Sequence, residues 1–185
     1  MPSVDRTKRI DERPSAYWRA RSSRTMVEFY KYFVDFVNGS GVESILDIGT
    51  GPTLYLNDLN IQDITGIDLL TYDDYELLKP NIKTIKGNFV KSSTIEDRKY
   101  DIVSSLQTIE HIENKVEFIK KCFRIANKYV IISFPYMWDT KKSYDEHRML
   151  DETFMSKLTN EVMDQSIILN KRMICIYKIK KDVKS

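Results

Sequence analysis

Cysteine and histidine are scarce in this chain of 185 residues, which contains two of each, and glycine occurs six times. Cys122 and Cys175 fall in a helical and a strand pattern without a Cys-x-x-Cys spacing, so buried thiols are favoured over a metal site or a disulfide. Long apolar runs are also missing, and the N-terminus has no apolar segment of a secretory signal. These absences predict a cytoplasmic protein without a membrane span.

A strong excess of charge of one sign is missing too, because the net charge is only +2. This value gives no argument for a nucleic-acid partner. The hydrophobic share of 42% and the charged share of 30% are those of an ordinary globular protein, and the length fits one domain with a substantial core. Basic residues nevertheless outnumber acidic ones over residues 1–24. Those side chains either cover a solvated helix face or meet an anionic substrate.

The most informative feature present is an apolar run that ends in an acidic residue and a Gly-x-Gly turn, residues 45–51 with the sequence ILDIGTG. It predicts a buried parallel strand whose turn lets the backbone approach a ligand, because glycine has no Cβ. A second apolar run ends at Asp68, where doubly wound sheets place a carboxylate that accepts hydrogen bonds from ribose hydroxyls. Together the two signals predict a nucleotide-like ligand.

Two nucleotide-binding fingerprints are absent around this turn. A dinucleotide fingerprint needs a third glycine, and Leu54 stands at that position. A Walker-type phosphate loop needs Gly-Lys followed by Ser or Thr, a triplet that the chain lacks. NAD and ATP are therefore disfavoured as ligands.

Apolar runs and helical patterns alternate along the chain. A helix is predicted from Ser15 to about Val37, another over about 114–126, and a capped helix over about 151–159. Alternation of this kind implies an α/β fold with a parallel sheet covered on both faces, while short polar connections after the second and third strands predict reduced helices there. The predicted strands are at about residues 44–48, 64–68, 82–86, 100–106, 129–134, 165–169 and 172–179, the last two forming a hairpin.

The run of residues 47–51 (DIGTG), followed by Asp68, resembles the first motif of the class I S-adenosylmethionine-dependent methyltransferases. The resemblance implies their Rossmann-like fold: a three-layer, doubly wound sheet of seven strands, mostly parallel, with a C-terminal antiparallel hairpin strand. It implies a single domain over residues 1–185, with a tail and helix over 1–40 as a possible lid and a cofactor-binding core over 41–180. It also implies S-adenosylmethionine as cofactor and S-adenosylhomocysteine as product.

The same resemblance assigns roles to residues at the ends of the predicted strands. Gly49 and Gly51 would pass under the methionine part of the cofactor, and Asp47 would lie near its amino group. Asp68 would hold the ribose diol, and Asn88 would accept a hydrogen bond from the adenine amino group. The full set of expected cofactor-binding residues is Asp47, Gly49, Thr50, Gly51, Asp68, Leu69, Asn88, Phe89 and Gln107.

Both histidines of the chain, His111 and His147, are expected at the carboxyl end of the sheet, which favours a catalytic role. In one interpretation a histidine is a general base for a substrate hydroxyl, with Glu110 beside it, because an ordinary histidine pKa suits that task. We expect His111 to matter more than His147, since it leaves directly from a core strand.

In the other interpretation a divalent metal polarises the hydroxyl. The spacing Gln107-x-x-Glu110-His111 resembles the Glu-x-x-Glu-His ligand set of the small-RNA 2′-O-methyltransferases, which would make Gln107, Glu110, His111 and His147 the ligands. Glutamine replaces the first carboxylate of that set, and an amide is the weaker ligand for a hard cation. The general base is therefore preferred, and the metal stays an alternative.

The chemical class of the methyl acceptor is predicted mainly from a resemblance. The chain lacks the Asn/Asp-Pro-Pro-aromatic motif used for nucleobase amines. In its C-terminal half, residues 134–138, 146–152, 166–169 and 172–177 resemble small bacterial methyltransferases of surface-polysaccharide biosynthesis. This implies O-methylation of a sugar or a phosphorylated small molecule, with nucleic acid disfavoured as a partner. The alternatives are an RNA 2′-O-methyltransferase and a non-catalytic binding protein of the same fold. The expected substrate contacts are Tyr17, Arg21, Arg24 and Tyr136.

Overall fold

The computed structural model describes residues 27–52, 54–72, 76–92, 95–137, 150–159 and 161–180. Its α-helices are Val27–Gly39 (α1), Lys115–Ile125 (α2) and Glu152–Leu158 (α3), and two 3-10 helices lie at Tyr55–Asp58 and Ile109–His111. The strands are Ser44–Ile48 (β1), Asp63–Asp68 (β2), Ile82–Lys86 (β3), Tyr100–Leu106 (β4), Ala126–Pro135 (β5), Gln165–Leu169 (β6) and Arg172–Lys178 (β7).

A seven-stranded sheet in the order β3-β2-β1-β4-β5-β7-β6 forms the centre of the fold. Strands β1 to β5 pair in parallel, while β7 is antiparallel to both β5 and β6. The predicted α/β fold with a seven-stranded, mostly parallel sheet is therefore confirmed. Strand β1 pairs with β2 on one side and with β4 on the other, so the chain changes direction across the sheet at this point. In open α/β sheets such a switch point opens a crevice at the carboxyl ends of the strands.

Apolar side chains cover both faces of the sheet, which explains why its central strands are apolar without alternation. On one face, α1 contributes Phe29, Phe33 and Val37 to a buried cluster. On the other face, α2 contributes Phe118 and Cys122 to a second cluster. This arrangement gives the predicted three layers, and it buries both cysteines as free thiols, as expected.

Local sequence signals set the limits of two helices. The side chain of Asn114 accepts a hydrogen bond from the Glu117 amide at the start of α2. The side chain of Asp151 does the same with the Phe154 amide at 2.7 Å at the start of α3. Such caps satisfy amides that have no partner within the helix. Both helices lie where the sequence predicted them, whereas the predicted first part of α1, from Ser15, lies outside the described residues.

The connections and the hairpin also follow the sequence. In the described parts of the β2–β3 and β3–β4 connections, residues 69–72, 76–81, 87–92 and 95–99, no α-helix is present. The β6–β7 turn has positive φ angles at Asn170 (48°) and Lys171 (59°), as a two-residue hairpin of type I′ requires. Within the residues that the structure describes, no helix is both long and apolar enough to cross a membrane. A single domain over residues 1–185 stays a prediction.

The turn after β1 packs directly against β2. The side chain of Thr50 is buried, and its hydroxyl donates to the carbonyl oxygen of Asp47 at 3.1 Å. A Cβ placed on Gly66 would lie 2.7 Å from the Thr50 Oγ1 atom. Glycine at position 66 therefore leaves the room that the Thr50 side chain occupies.

We predict that Gly66→Ala lowers the free energy of unfolding by about 1–3 kcal/mol, because the new methyl group overlaps Thr50. In a Thr50→Ala background the same change should cost less, since only the Thr50 Cβ, at 3.4 Å, would remain close to it. Urea denaturation of the single and double variants measures both values. Gly39→Ala is the matched control, because a Cβ there meets nothing within 4 Å. An equal cost of Gly66→Ala in both backgrounds would contradict this account.

Candidate active site

The Gly49–Gly51 turn brings the ends of β1, β2 and β4 together. Gly49 has a φ of +75°, and its amide donates to the carbonyl oxygen of Ile67 at 2.8 Å. A Cβ on Gly49 would lie 2.2 Å from the Thr108 Oγ1 atom, so the exit of β4 packs tightly against this turn. Gly51 also has a positive φ, +61°. The turn thus needs glycine at both positions for backbone conformation, and at Gly49 also for space.

Asp47 lies beneath the turn rather than on its surface. Its carboxylate is fully buried and accepts hydrogen bonds from the hydroxyls of Tyr55 and Ser104, each at 2.6 Å and each to a different oxygen. Burial raises the pKa of Asp47, and the two hydroxyl donors oppose that rise. The geometry gives Asp47 a supporting position under the loop, and its expected contact with the cofactor's amino group stays a prediction.

Asp68 is the acidic side chain that a ligand can reach. One carboxylate oxygen accepts from the Gly51 amide at 2.9 Å, and the other accepts from the Leu70 amide at 3.1 Å. The Tyr72 hydroxyl is 3.4 Å from the second oxygen. A carboxylate offers about four acceptor positions. The oxygen bound to the Gly51 amide has room for a ribose hydroxyl, and displacing the long Tyr72 contact would open a position on the other oxygen. Burial raises the pKa of Asp68, and its expected contact with a ribose diol stays a prediction.

The exits of β2 and β3 present polar and apolar side chains side by side. Asn88 is exposed, and its side-chain oxygen accepts from the Lys91 amide at 3.2 Å. Leu69 is also exposed, at 39% of its surface. Phe89 instead points into the core, where its ring centroid lies 5.5 Å from that of Phe118. Of the residues expected around the adenine, Asn88 and Leu69 are accessible, whereas Phe89 supports the loop from below.

The exit of β4 is strained at Gln107, which has a φ of 55° without being glycine. Its amide donates to the carbonyl oxygen of Ser133 at 3.0 Å, and its side-chain amide lies 3.2 Å from the Ser133 hydroxyl. This bend leads directly into the short helix that carries Glu110 and His111. Glu110 is buried, and its Oε1 atom is 3.9 Å from Nε2 of His111, whose side chain is 29% exposed.

The pair formed by Glu110 and His111 fits an acid–base role. A buried carboxylate beside a partly exposed imidazole stabilises the protonated imidazole after it takes a proton. Gln107, by contrast, is bound to Ser133, which leaves its expected cofactor contact a prediction. Tyr136 lies at the end of β5 with its hydroxyl 3.5 Å from Glu152, and this contact raises the pKa of Tyr136.

Several expected site residues cannot be placed. His147, Tyr17, Arg21 and Arg24 lie outside the described residues, so neither the second histidine nor the basic lid is tested. In the described part of the chain, no three residues among His, Cys, Asp and Glu gather as a metal-binding cluster. The alternative ligand set needs His147, so the metal hypothesis stays open.

Sequence reasoning missed the residues that support the site from inside. Tyr55 and Ser104 hold the Asp47 carboxylate, and Ser133 holds Gln107. Lys121 in α2 contacts the loop after β3. Each of these contacts joins different elements, and no spacing along the chain predicts them.

Comparison with known proteins agrees with this geometry. Residues 46–133, the stretch from β1 through β5 that contains the turn, Asp68 and the β4 exit, match the family model described as a methyltransferase domain. The likeness to methyltransferase domains thus concerns the part of the chain that holds these residues. This likeness agrees with the predicted class I domain type and with S-adenosylmethionine as the predicted cofactor. The glycine turn with its two positive φ angles and the reachable Asp68 carboxylate fit that molecule.

Curated relatives share part of the methyltransferase domain. The ubiquinone biosynthesis O-methyltransferase of Rickettsia bellii (strain OSU 85-389) is 35% identical over 106 residues, which cover 54% of this chain and 44% of that protein. The corresponding protein of Rickettsia conorii (strain ATCC VR-613 / Malish 7) is 28% identical over 154 residues, covering 76% and 50%. The chain thus matches half or less of the length of these relatives.

Solved structures show the same fold at low identity. The N-methyltransferase NodS from Bradyrhizobium japonicum WM9, in complex with S-adenosylhomocysteine, aligns with a TM-score of 0.76 and 13% identity over 95% of this chain and 98% of that one. Magnesium protoporphyrin IX methyltransferase from Synechocystis PCC 6803, also with bound S-adenosylhomocysteine, aligns with a TM-score of 0.70 and 14% identity over 95% and 94%. At this identity the likeness concerns the fold alone.

We predict that Asp68→Ala weakens S-adenosylmethionine binding by about tenfold or more, because it removes charge-assisted hydrogen bonds to the ribose. Isothermal titration calorimetry measures the affinity. Asp63→Ala is the matched control, since Asp63 begins the same strand at its opposite end. Equal affinity of Asp68→Ala and wild type would contradict the role of Asp68.

The raised pKa of Asp68 gives this binding a pH dependence. Only the ionised carboxylate accepts from both ribose hydroxyls, so affinity should fall as the pH falls through the folded-state pKa. Because burial raises that pKa above 3.8, the loss should begin at a higher pH than for an ordinary aspartate. Calorimetry across a pH series should show this loss in wild type and not in Asp68→Asn. The same pH profile in both proteins would exclude Asp68 as its source.

We predict that Tyr55→Phe lowers the free energy of unfolding by about 1–3 kcal/mol at neutral pH, because the buried Asp47 carboxylate loses a donor. The cost should shrink at pH values below the raised pKa of Asp47, where the carboxyl group is neutral. Chemical denaturation at neutral and acidic pH measures both values. Tyr32→Phe, another partly buried tyrosine change on the α1 side of the sheet, is the control. A cost that is independent of pH would contradict the coupling to Asp47.

Proposed function

We propose that this chain transfers the methyl group of S-adenosylmethionine to an oxygen acceptor. The observation that carries the proposal is the reachable Asp68 carboxylate, held by the Gly51 amide at the switch point of the sheet. The oxygen acceptor is supported by His111 at the neighbouring β4 exit and by the O-methyltransferase names of the curated relatives.

The described residues divide the work of such a reaction. Bound S-adenosylmethionine supplies an electrophilic methyl group on a sulfonium centre. His111 would take the proton from the acceptor hydroxyl, whose oxygen would receive the methyl group that the cofactor supplies. Glu110, 3.9 Å away, stabilises the imidazolium until the proton passes to solvent. The Gly49–Gly51 turn and Asp68 hold the donor, so that proximity and orientation supply the rest of the rate enhancement.

For the acceptor, we favour an aromatic hydroxyl of a ubiquinone precursor. The curated relatives bear ubiquinone biosynthesis in their names, although the match spans half or less of their length. Apolar surface at the carboxyl edge of the sheet agrees with an aromatic guest, since Leu69 is 39% and Met137 53% exposed. A sugar or phosphorylated small molecule for a surface glycan, the acceptor expected from the C-terminal sequence runs, finds no support in those names and stays a prediction.

Two further alternatives make different demands on the site. An RNA 2′-O-methyltransferase would use the set Gln107, Glu110, His111 and His147 as metal ligands, and the Gln107 amide is a weaker ligand for a hard cation than the carboxylate it replaces. A non-catalytic protein of this fold that binds no nucleotide would have no need for a reachable Asp68 carboxylate at the switch point. The small-molecule O-methyltransferase therefore accounts for more of the described residues.

We predict that His111→Ala lowers kcat by roughly 10²- to 10⁴-fold with little change in S-adenosylmethionine affinity. His147→Ala should cost less. Transfer of a labelled methyl group to a catechol, a nucleotide sugar and a short RNA measures the activity and identifies the acceptor class.

Chelation separates the two roles of His111. A general base keeps its activity after exhaustive treatment with EDTA, and its rate rises with pH over the range in which histidine ordinarily titrates. A metal site loses activity and regains it with Mg²⁺ or Mn²⁺, and Glu110→Ala is then as damaging as His111→Ala. Methyl transfer to none of the three acceptors, with intact cofactor binding, would instead support the non-catalytic alternative.

A further inference from the structure

A buried lysine of α2 holds the loop that follows β3. The side chain of Lys121 is only 8% exposed, and its Nζ atom donates hydrogen bonds to the carbonyl oxygens of Phe89 and Ser92. The carbonyl oxygen of Val90 is a third, longer contact at 3.4 Å. One side chain thus gathers three carbonyl groups of residues 88–92, which we call the β3 exit loop.

Burial makes Lys121 an unusual choice for a helix that only covers a sheet. Lysine is rarely buried, because its charged form loses the solvation of water. That loss lowers the pKa of Lys121, and the charge of Arg124 adds to the effect. The carbonyl contacts and the Phe89 ring, whose centroid is 4.8 Å from Nζ, compensate for the lost solvation. The contacts that stabilise the buried Lys121 ammonium therefore depend on the conformation of this loop.

The β3 exit loop begins with Asn88, whose side chain is exposed. The backbone carbonyl of Asn88 accepts from the Ser92 amide at 3.0 Å, and its side-chain oxygen accepts from the Lys91 amide at 3.2 Å. The second contact fixes which way the amide group of Asn88 points. Its oxygen keeps a second acceptor position, and its exposed amide can face a ligand at the sheet edge.

We propose that Lys121 is a positioning residue for adenine selectivity: it fixes the β3 exit loop so that the Asn88 amide cannot flip. A fixed amide oxygen accepts from the 6-amino group of adenine and repels the 6-oxo group of hypoxanthine. A loosened loop lets the amide turn over and pair with either base, because its NH₂ group then donates to the oxo group. The inference rests on the proposed binding of S-adenosylmethionine.

The test compares two ligands, S-adenosylhomocysteine and S-inosylhomocysteine, which differ at the 6-position of the base. We expect wild type to prefer the adenosyl ligand by about tenfold or more, the effect of one hydrogen bond exchanged for a repulsive contact. In Lys121→Met the ratio of the two dissociation constants should fall towards one. Lys120→Met, an exposed neighbour on the same helix, is the matched control and should keep the wild-type ratio.

The ratio separates positioning from stability, since a merely destabilised protein loses both ligands equally. If Lys121→Met does not fold, the ratio is measured in Lys121→Arg instead. A planar guanidinium cannot direct its donors at the same three carbonyls, so the ratio should again fall towards one. An unchanged ratio in a folded Lys121 variant would overturn the inference. Wild type that binds neither ligand would overturn the proposed function instead, and wild type without a preference would exclude Asn88 as the selective group.

Discussion

The rest of the site depends on one buried carboxylate. Asp47 lies next to the last residue of β1 without access to solvent, and its two oxygens accept from Ser104 of β4 and from Tyr55 of the short helix after the turn. The Tyr55 ring stacks on the Tyr30 ring of α1, with the two ring centroids 4.6 Å apart. Tyr55 therefore links α1 to the Asp47 carboxylate of β1. A charge in this position is costly unless its hydrogen bonds are complete. The hydrogen bonds from Tyr55 and Ser104 satisfy this carboxylate, and they hold β1, β4 and α1 together around the Gly49–Gly51 turn.

Asp47 and Asp68 lie near the ends of two neighbouring strands, and their different surroundings give them different roles. Asp47 and Asp68 both follow apolar strands, and burial raises the pKa of both. Asp47 accepts from side-chain hydroxyls inside the protein, whereas Asp68 accepts from backbone amides and, over a longer distance, from the Tyr72 hydroxyl. The first supports the turn from below, and the second is the residue predicted to bind a diol.

The sequence predicts well what depends on local pattern. Periodicity located the strands and α2, and the Asn170-Lys171 pair located the hairpin, because side-chain alternation and turn conformation are properties of neighbouring residues. It predicts poorly what depends on contacts between distant segments. The family resemblance predicts adenine binding at the loop after β3, but neither the inward direction of Phe89 nor the support by Lys121 follows from any spacing. Tyr55 and Ser133 were missed for the same reason.

The cofactor and acceptor sides of the crevice are built by different means. On the cofactor side, backbone amides and glycine conformations at the ends of β1 and β2 define the surface, so a short motif suffices to identify it. On the acceptor side, the strained Gln107 and its bond to Ser133 direct the chain towards Glu110 and His111, and their partners come from elsewhere in the fold. Residues 47–68 are therefore enough to predict the methyl donor. The identity of the acceptor depends on side chains that can be replaced without changing the sheet.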